Sequence, residues 1–291
     1  MNTGVMAPPN QPVTATHSSP RERFYRHRLP VRLMHWVNAI CFVILLMSGL
    51  TIFNAHPNLY WGKDSTFDKP WLAIGAVDGK TGPVGVTHVA GRPFNTDGVL
   101  GASVVGSEDS KTARAFPSWS TIPGPQWLTM GRHWHFFFAW IFVINGVGYL
   151  LWTIVSGHLR RDLVPTGGQV RSIGRSIKDH LLFRHPTGAA AKRYNVLQII
   201  TYLVVMFGLL PLIVVAGMAM SPRLDSVFTG WIDIFGGRQS ARSIHFLAAA
   251  GLVLFLLVHV FEVLISGPWN ELRSMVTGWF VVPADKHGSG K

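Results

Sequence analysis

The chain has 291 residues, of which 48% are hydrophobic and only 14% charged, with a formal net charge of +12; a soluble domain carries roughly 25% charged residues. The basic residues stand beside apolar segments instead of lining a face of their own, which argues against nucleic acid and for a membrane topology signal. Cys41 is the only cysteine, so an intrachain disulfide, a Cys-ligated iron–sulfur cluster and a Cys-x-x-Cys-His motif are all excluded.

Residues 1–24 read as a disordered tail: the first twenty are rich in Pro, Thr, Ser and Asn and lack the apolar core of a signal peptide. Membrane insertion then falls to the first span, about 33–54, which is long and apolar enough to cross a bilayer. Arg21, Arg23, Arg26, Arg28 and Arg32 precede it and place its start in the cytoplasm. His35 lies near that start, and Gly49 follows fourteen residues later.

The stretch 55–130 carries six basic and six acidic residues and is rich in Gly, Pro and Trp. It is expected on the outer side as a long periplasmic loop, partly ordered by its aromatics, either as a cap on the bundle or as a docking surface. His56, just after the first span, is a candidate for a place beside the outer site.

A second span covers about 133–155. Arg132 stands at its start, His133 and His135 follow, and Gly146 comes eleven residues after His135 on nearly the same face. His133 and His135 are ~200° apart round a helix, so only one of them can face a given partner. The next link holds Arg160, Arg161, Arg171, Arg175, Lys178, Arg184, Lys192 and Arg193, a cytoplasmic signature. Within it, Val170 to Phe183 reads as a basic amphipathic helix on the membrane surface.

The third span is about 195–219 and the fourth about 243–266, with residues 283–291 as a C-terminal tail. On the fourth, His245 and His259 are fourteen residues apart. Fourteen steps of ~100° bring the second ring to within about 40° of the first, ~21 Å along one face. These elements make an all-α, integral-membrane four-helix bundle, N-in and C-in, spanning 25–282 as one domain.

Depth sorts the four intramembrane histidines. His35 and His259 lie near the cytoplasmic side, His135 and His245 near the outer side, and each pair draws on two helices. Each could therefore hold a porphyrin iron from both faces, giving six-coordinate haem suited to electron transfer with no open position for substrate. Gly49 and Gly146 stand at the depths of the outer and inner pairs, where a missing side chain would let a flat macrocycle pass. Arg32, Arg132 and Arg242 are candidates to neutralise haem propionates. His17, His27, His88, His158, His180, His185 and His287 fall in tails or loops, where a solvated ring is the ordinary expectation.

Arg32-Leu33-Met34-His35-Trp36, Trp134-His135-Phe136-Phe137-Phe138-Ala139-Trp140, Ala241-Arg242-Ser243-Ile244-His245-Phe246 and Leu257-Val258-His259 resemble the bacterial cytochrome b561 and nickel–iron-hydrogenase cytochrome b family. That family also includes membrane subunits of formate dehydrogenases and thiosulfate-reductase-type cytochromes b. The resemblance implies two b-type haems in the bacterial cytoplasmic (inner) membrane. One would be ligated by His35 and His259, the other by His135, rather than His133, and His245. It further implies electron transfer between a periplasmic redox subunit and the quinone pool. The long loop is similar to that of members accompanying molybdopterin oxidoreductases, which favours such a partner over a hydrogenase.

No independent substrate-converting site stands out beyond quinone chemistry, for which the sequence names no residues. Two rival classes are a histidine-lined proton or metal-ion transporter and a non-redox anchor for a periplasmic partner. The transporter would need mid-membrane carboxylates, yet Glu262 is the only acidic residue in any span.

Overall fold

In hydrocarbon a backbone N–H or C=O has no water to bond, so an apolar segment must satisfy its polar groups internally, as a helix does. Four segments do so in the computed structural model, which describes residues 22–80, 82–104, 111–157, 166–182, 196–228 and 230–282. In chain order the elements are β1 (Arg23–Tyr25), α1 (Leu29–Asn54), β2 (Asn58–Leu59), β3 (Leu72–Gly79), β4 (Gly82–Val89), β5 (Arg92–Asn95), β6 (Gly101–Val104) and β7 (Lys111–Arg114). There follow α2 (Leu128–Val155), α3 (Gly167–Arg171), α4 (Ile173–Leu181), α5 (Val196–Ala219), α6 (Pro222–Val227), α7 (Arg238–Ile265), α8 (Pro268–Thr277) and β8 (Trp279–Val281).

Helices α1, α2, α5 and α7 have 24 to 28 residues each and are apolar enough to cross a membrane. Their outward faces stay apolar, with Trp140, Ile144 and Leu254 more than 60% exposed, as lipid-facing surfaces require. Three begin four or five residues before the expected spans, at Leu29, Leu128 and Arg238. Hydropathy marks the hydrocarbon thickness, whereas these helices continue into polar first turns that contain Arg32, Arg132 and Arg242. Within α5, Val204–Leu209 is a π-helical stretch just ahead of Pro211, where a missing N–H disturbs the regular ladder.

Packing divides the bundle in two. Helix α1 lies along α2, and α5 lies along α7, while backbone approach between the two halves is sparse among the described residues. The seam between the halves runs the length of α7.

The long outer segment departs from the loop expected there. Strands β2, β3, β4 and β5 form a four-stranded antiparallel sheet in that order, and β6 pairs with β7. The hairpin lies against the sheet at glycines: a Cβ on Gly101 would overlap the Gly75 carbonyl and come within 2.8 Å of Gly85 Cα. Phe53, Leu59, Leu72, Ile74 and Ala115 make its apolar core, joined by Trp71, Leu100, Phe116 and Phe246. Because Phe53 comes from α1 and Phe246 from α7, this β unit is a cap built onto one end of the bundle.

Hydrogen bonds clasp the cap to α7. Ser243, fully buried, accepts from Trp71 Nε1 at 2.9 Å and donates from its hydroxyl to the Tyr60 carbonyl at 2.6 Å. Ser240 Oγ accepts from the Gly62 N–H at 2.7 Å. Asn54, at the end of α1, donates to the Phe116 and Pro125 carbonyls and accepts from the Phe116 N–H.

At the opposite end, β1 and β8 pair antiparallel, with Phe24 opposite Phe280. An Arg26–Glu271 ion pair at 3.3 Å ties the segment before α1 to α8. Arg32 donates to the Val276 carbonyl, and Trp36 Nε1 donates to the Met275 carbonyl at 3.2 Å, so the last turn of α8 is capped by α1. The expected surface helix over Val170–Phe183 is divided into α3 and α4. Phe183, the tail up to residue 21, residues 283–291 and most of the basic link lie outside the described residues.

Replacing Ser243 by Ala strands the Trp71 donor and the Tyr60 acceptor in a buried site, which costs about 1–3 kcal/mol. Limited proteolysis should therefore cut the cap faster in Ser243→Ala while the helical circular-dichroism signal is kept. An unchanged cleavage rate would show that the clasp contributes nothing.

Candidate functional site

The four intramembrane histidines meet in two pairs across the seam. His35 on α1 faces His259 on α7 with ring centroids 6.4 Å apart, and His135 on α2 faces His245 on α7 at 6.2 Å. Helix α7 supplies one ring to each pair because its two histidines share a face. His133 lies exposed on the helix surface, turned away from the pair that His135 joins.

The separations can be compared with a shared metal. An imidazole nitrogen binds a first-row metal at ~2.0–2.1 Å and lies about 1.1 Å from its ring centre, so two rings flanking one metal stand roughly 6.3 Å apart. Both pairs match. Among the described residues no group of three or more His, Cys, Asp or Glu side chains gathers as a metal cluster. Two imidazoles on one metal would leave its other positions to a further group, a role that a four-nitrogen macrocycle would fit.

Second nitrogens give a further test, because a metal-ligating imidazole ordinarily donates its other N–H to a nearby acceptor. His245 Nδ1 is 2.8 Å from the Ile213 carbonyl on α5 and must donate to it. His135 Nδ1 is 3.1 Å from Ser48 Oγ on α1. In both outer rings the Nδ1 edge is thus held by a neighbouring helix, leaving Nε2 as the free lone pair. The inner pair differs: His35 Nδ1 is buried with no hydrogen-bond partner among the described residues.

Glycines make those contacts possible. A Cβ on Gly49 would meet His135 Cε1 at 3.4 Å, and one on Gly217 would press His245 at 3.1 Å to Cε1 and 3.2 Å to Nδ1. Gly49 was expected from its depth, whereas Gly217 and the Ile213 carbonyl lie on α5, a span without histidines where the sequence directed no attention. Around Gly146 there is open space, with no side-chain or other-helix atom within 4 Å of an added Cβ. At the depth of Gly146, Asn145 Nδ2 donates to Asn38 Oδ1 at 2.7 Å and to the Met34 carbonyl at 3.0 Å, a polar link between α1 and α2 of the kind that holds membrane helices together.

The arginines singled out for propionates sit at opposite ends. Arg32 caps α8, as above, and Arg242 donates to the His56 carbonyl at the foot of the cap, 5.8 Å from the Phe53 ring. Arg132 lies 5.7 Å over Phe136. His56 is stacked on fully buried Tyr60 and shares a 3.2 Å hydrogen bond with its hydroxyl. Burial, then the nearby Arg242 charge, holds His56 below its ordinary pKa, so it is neutral at pH 7. His88 lines an open groove on the cap with Asn58, Phe67, Asp68 and Trp71, away from the histidine pairs.

Residues 26–278 match the family described as prokaryotic cytochrome b561. The chain is also similar to a putative protein-methionine-sulfoxide reductase subunit, YedZ1, of Azospira oryzae, with 25% identity over 240 residues that cover 82% of this chain and 90% of the relative. No solved structure matches.

Gly217→Ala should push the His245 ring out of line and lower retention of a group held by the outer pair, whereas His133→Ala should leave it unchanged. Difference spectra of the purified variants read both effects. Equal loss in His133→Ala would put the wrong histidine in the pair.

Proposed function

The chain belongs to the prokaryotic cytochrome b561 family of membrane haem proteins of electron transport, and on that premise we propose that it is a di-haem b-type cytochrome relaying electrons across the bilayer. His35 and His259 would hold one haem, His135 and His245 the other. The observation that carries this reading is the pair of ring separations, 6.4 and 6.2 Å, one at each depth of the seam.

Each haem, when bound, supplies a one-electron ferric/ferrous couple. The protein's part is to bind, orient and insulate. Histidines from two sides would hold each haem, which suits electron transfer rather than substrate binding. The apolar helices keep water from the seam, and neutral imidazoles bring no charge into hydrocarbon. Arg242 at the cap foot and Arg32 at the opposite end would balance propionates near each surface, since a guanidinium has donors beyond the one carbonyl each serves.

The reading sets the cap end outside and the arginine-rich end in the cytoplasm of a bacterial inner membrane, N-in and C-in, because Arg23, Arg26, Arg28 and Arg32 cluster at the latter. Residues 25–282 form the membrane domain, between tails 1–24 and 283–291. A periplasmic oxidoreductase subunit would exchange electrons at the cap and the quinone pool at the other end. The similar Azospira oryzae protein is named as a subunit of a protein-methionine-sulfoxide reductase, which supports a partner of the oxidoreductase class. A molybdopterin enzyme is our first choice of partner and a hydrogenase the second.

His259→Ala should lose the inner haem alone and His245→Ala the outer haem alone, each removing about half of the haem absorbance from a chain that still inserts in the membrane. Full haem retention in both variants would overturn the reading.

A further inference from the structure

The two histidine pairs are alike in separation and unlike in support, and Ser48 accounts for part of the difference. Its side chain is fully buried, between α1 and α2. A serine hydroxyl has one hydrogen to give and two lone pairs to receive with. The Ser48 hydrogen goes to the Ile44 carbonyl at 2.7 Å, the shortest of its contacts, with the Leu45 carbonyl farther away at 3.3 Å. The remaining contact, 3.1 Å to His135 Nδ1, is then one in which Ser48 accepts and His135 donates. Gly49, next in sequence, keeps the backbone close enough for that contact.

We propose that Ser48 is a positioning residue of the outer centre: by accepting the His135 Nδ1–H it sets the ring's tautomer, orientation and basicity. This rests on the reading of His135 and His245 as ligands of one haem. An accepted N–H makes the imidazole a more basic ligand, and a more basic ligand favours the ferric state. His35, the corresponding ligand of the inner pair on its own helix, has no such acceptor at Nδ1 among the described residues. Removing the Ser48 hydroxyl should therefore raise the midpoint potential of the outer haem and leave the inner one alone.

The test is a redox titration with low-temperature electron paramagnetic resonance on the full chain, for Ser48→Ala and Ser48→Thr. Each is made both in the wild-type background and with His259→Ala, where the outer haem is the one that remains. The expected result is full haem content, an upward shift of one potential in Ser48→Ala with an altered signal for that haem, and recovery in Ser48→Thr, which keeps the hydroxyl. The same single shift should appear in the His259→Ala background. Unchanged potentials and signals at full haem content would overturn the role, as would equal shifts of both haems. A His259→Ala chain that keeps two haems or none would instead overturn the di-haem reading on which the role rests.

Discussion

An imidazole placed in hydrocarbon has two nitrogens to satisfy and no water to satisfy them, and the rest of this structure follows from how that is done. At the outer pair, each ring spends Nδ1 on a neighbouring helix, Ser48 on α1 or the Ile213 carbonyl on α5, and the two ring centres stand 6.2 Å apart. The backbone must come near for this, hence Gly49 and Gly217. It must also stand back where the rings face each other, and among the described residues backbone approach between the α1–α2 and α5–α7 halves is sparse. One helix, α7, serves both depths because fourteen residues return nearly to the same face.

The same constraint explains why so much of the bundle was legible in the sequence. Uninterrupted apolar length has one solution in lipid, and polar rings inside it stand out, so four spans and two histidine pairs followed from residue order alone. Depth matching worked because the connections force alternate spans to run in opposite directions. Ser48, Gly217 and the Ile213 carbonyl were not legible. A backbone carbonyl has no signature in a sequence, and a serine or glycine in a membrane helix is ordinary until its neighbour is known. Carrying the depth argument to the third span would have found Gly217.

The cap was hidden for a different reason. Its strands are interrupted by glycine and proline, and Gly75, Gly85 and Gly101 make close contacts between separate strands. Alternation of apolar residues is weak there because the core is assembled partly from Phe53 and Phe246, which belong to helices. Likewise, β1 and β8 are three residues each and separated by almost the whole chain. Cross-chain pairing of that kind leaves no local pattern. What the sequence did reveal was the concentration of aromatics, and the expectation of a cap on the bundle describes their use.

Two environments result along a single seam. The outer pair lies under a folded cap clasped by Ser243 and Ser240, and its rings are held from behind. The inner pair lies toward the end that carries the Arg26–Glu271 ion pair and the β1–β8 pairing, and its His35 Nδ1 is unbonded among the described residues. On the proposed reading, haems so differently supported would differ in potential. The most direct check of this arrangement is the haem content of the purified, detergent-solubilised chain, by pyridine haemochrome against protein concentration. Two b-type haems per chain is the predicted result; one haem or none, from a haem-replete host, would contradict it.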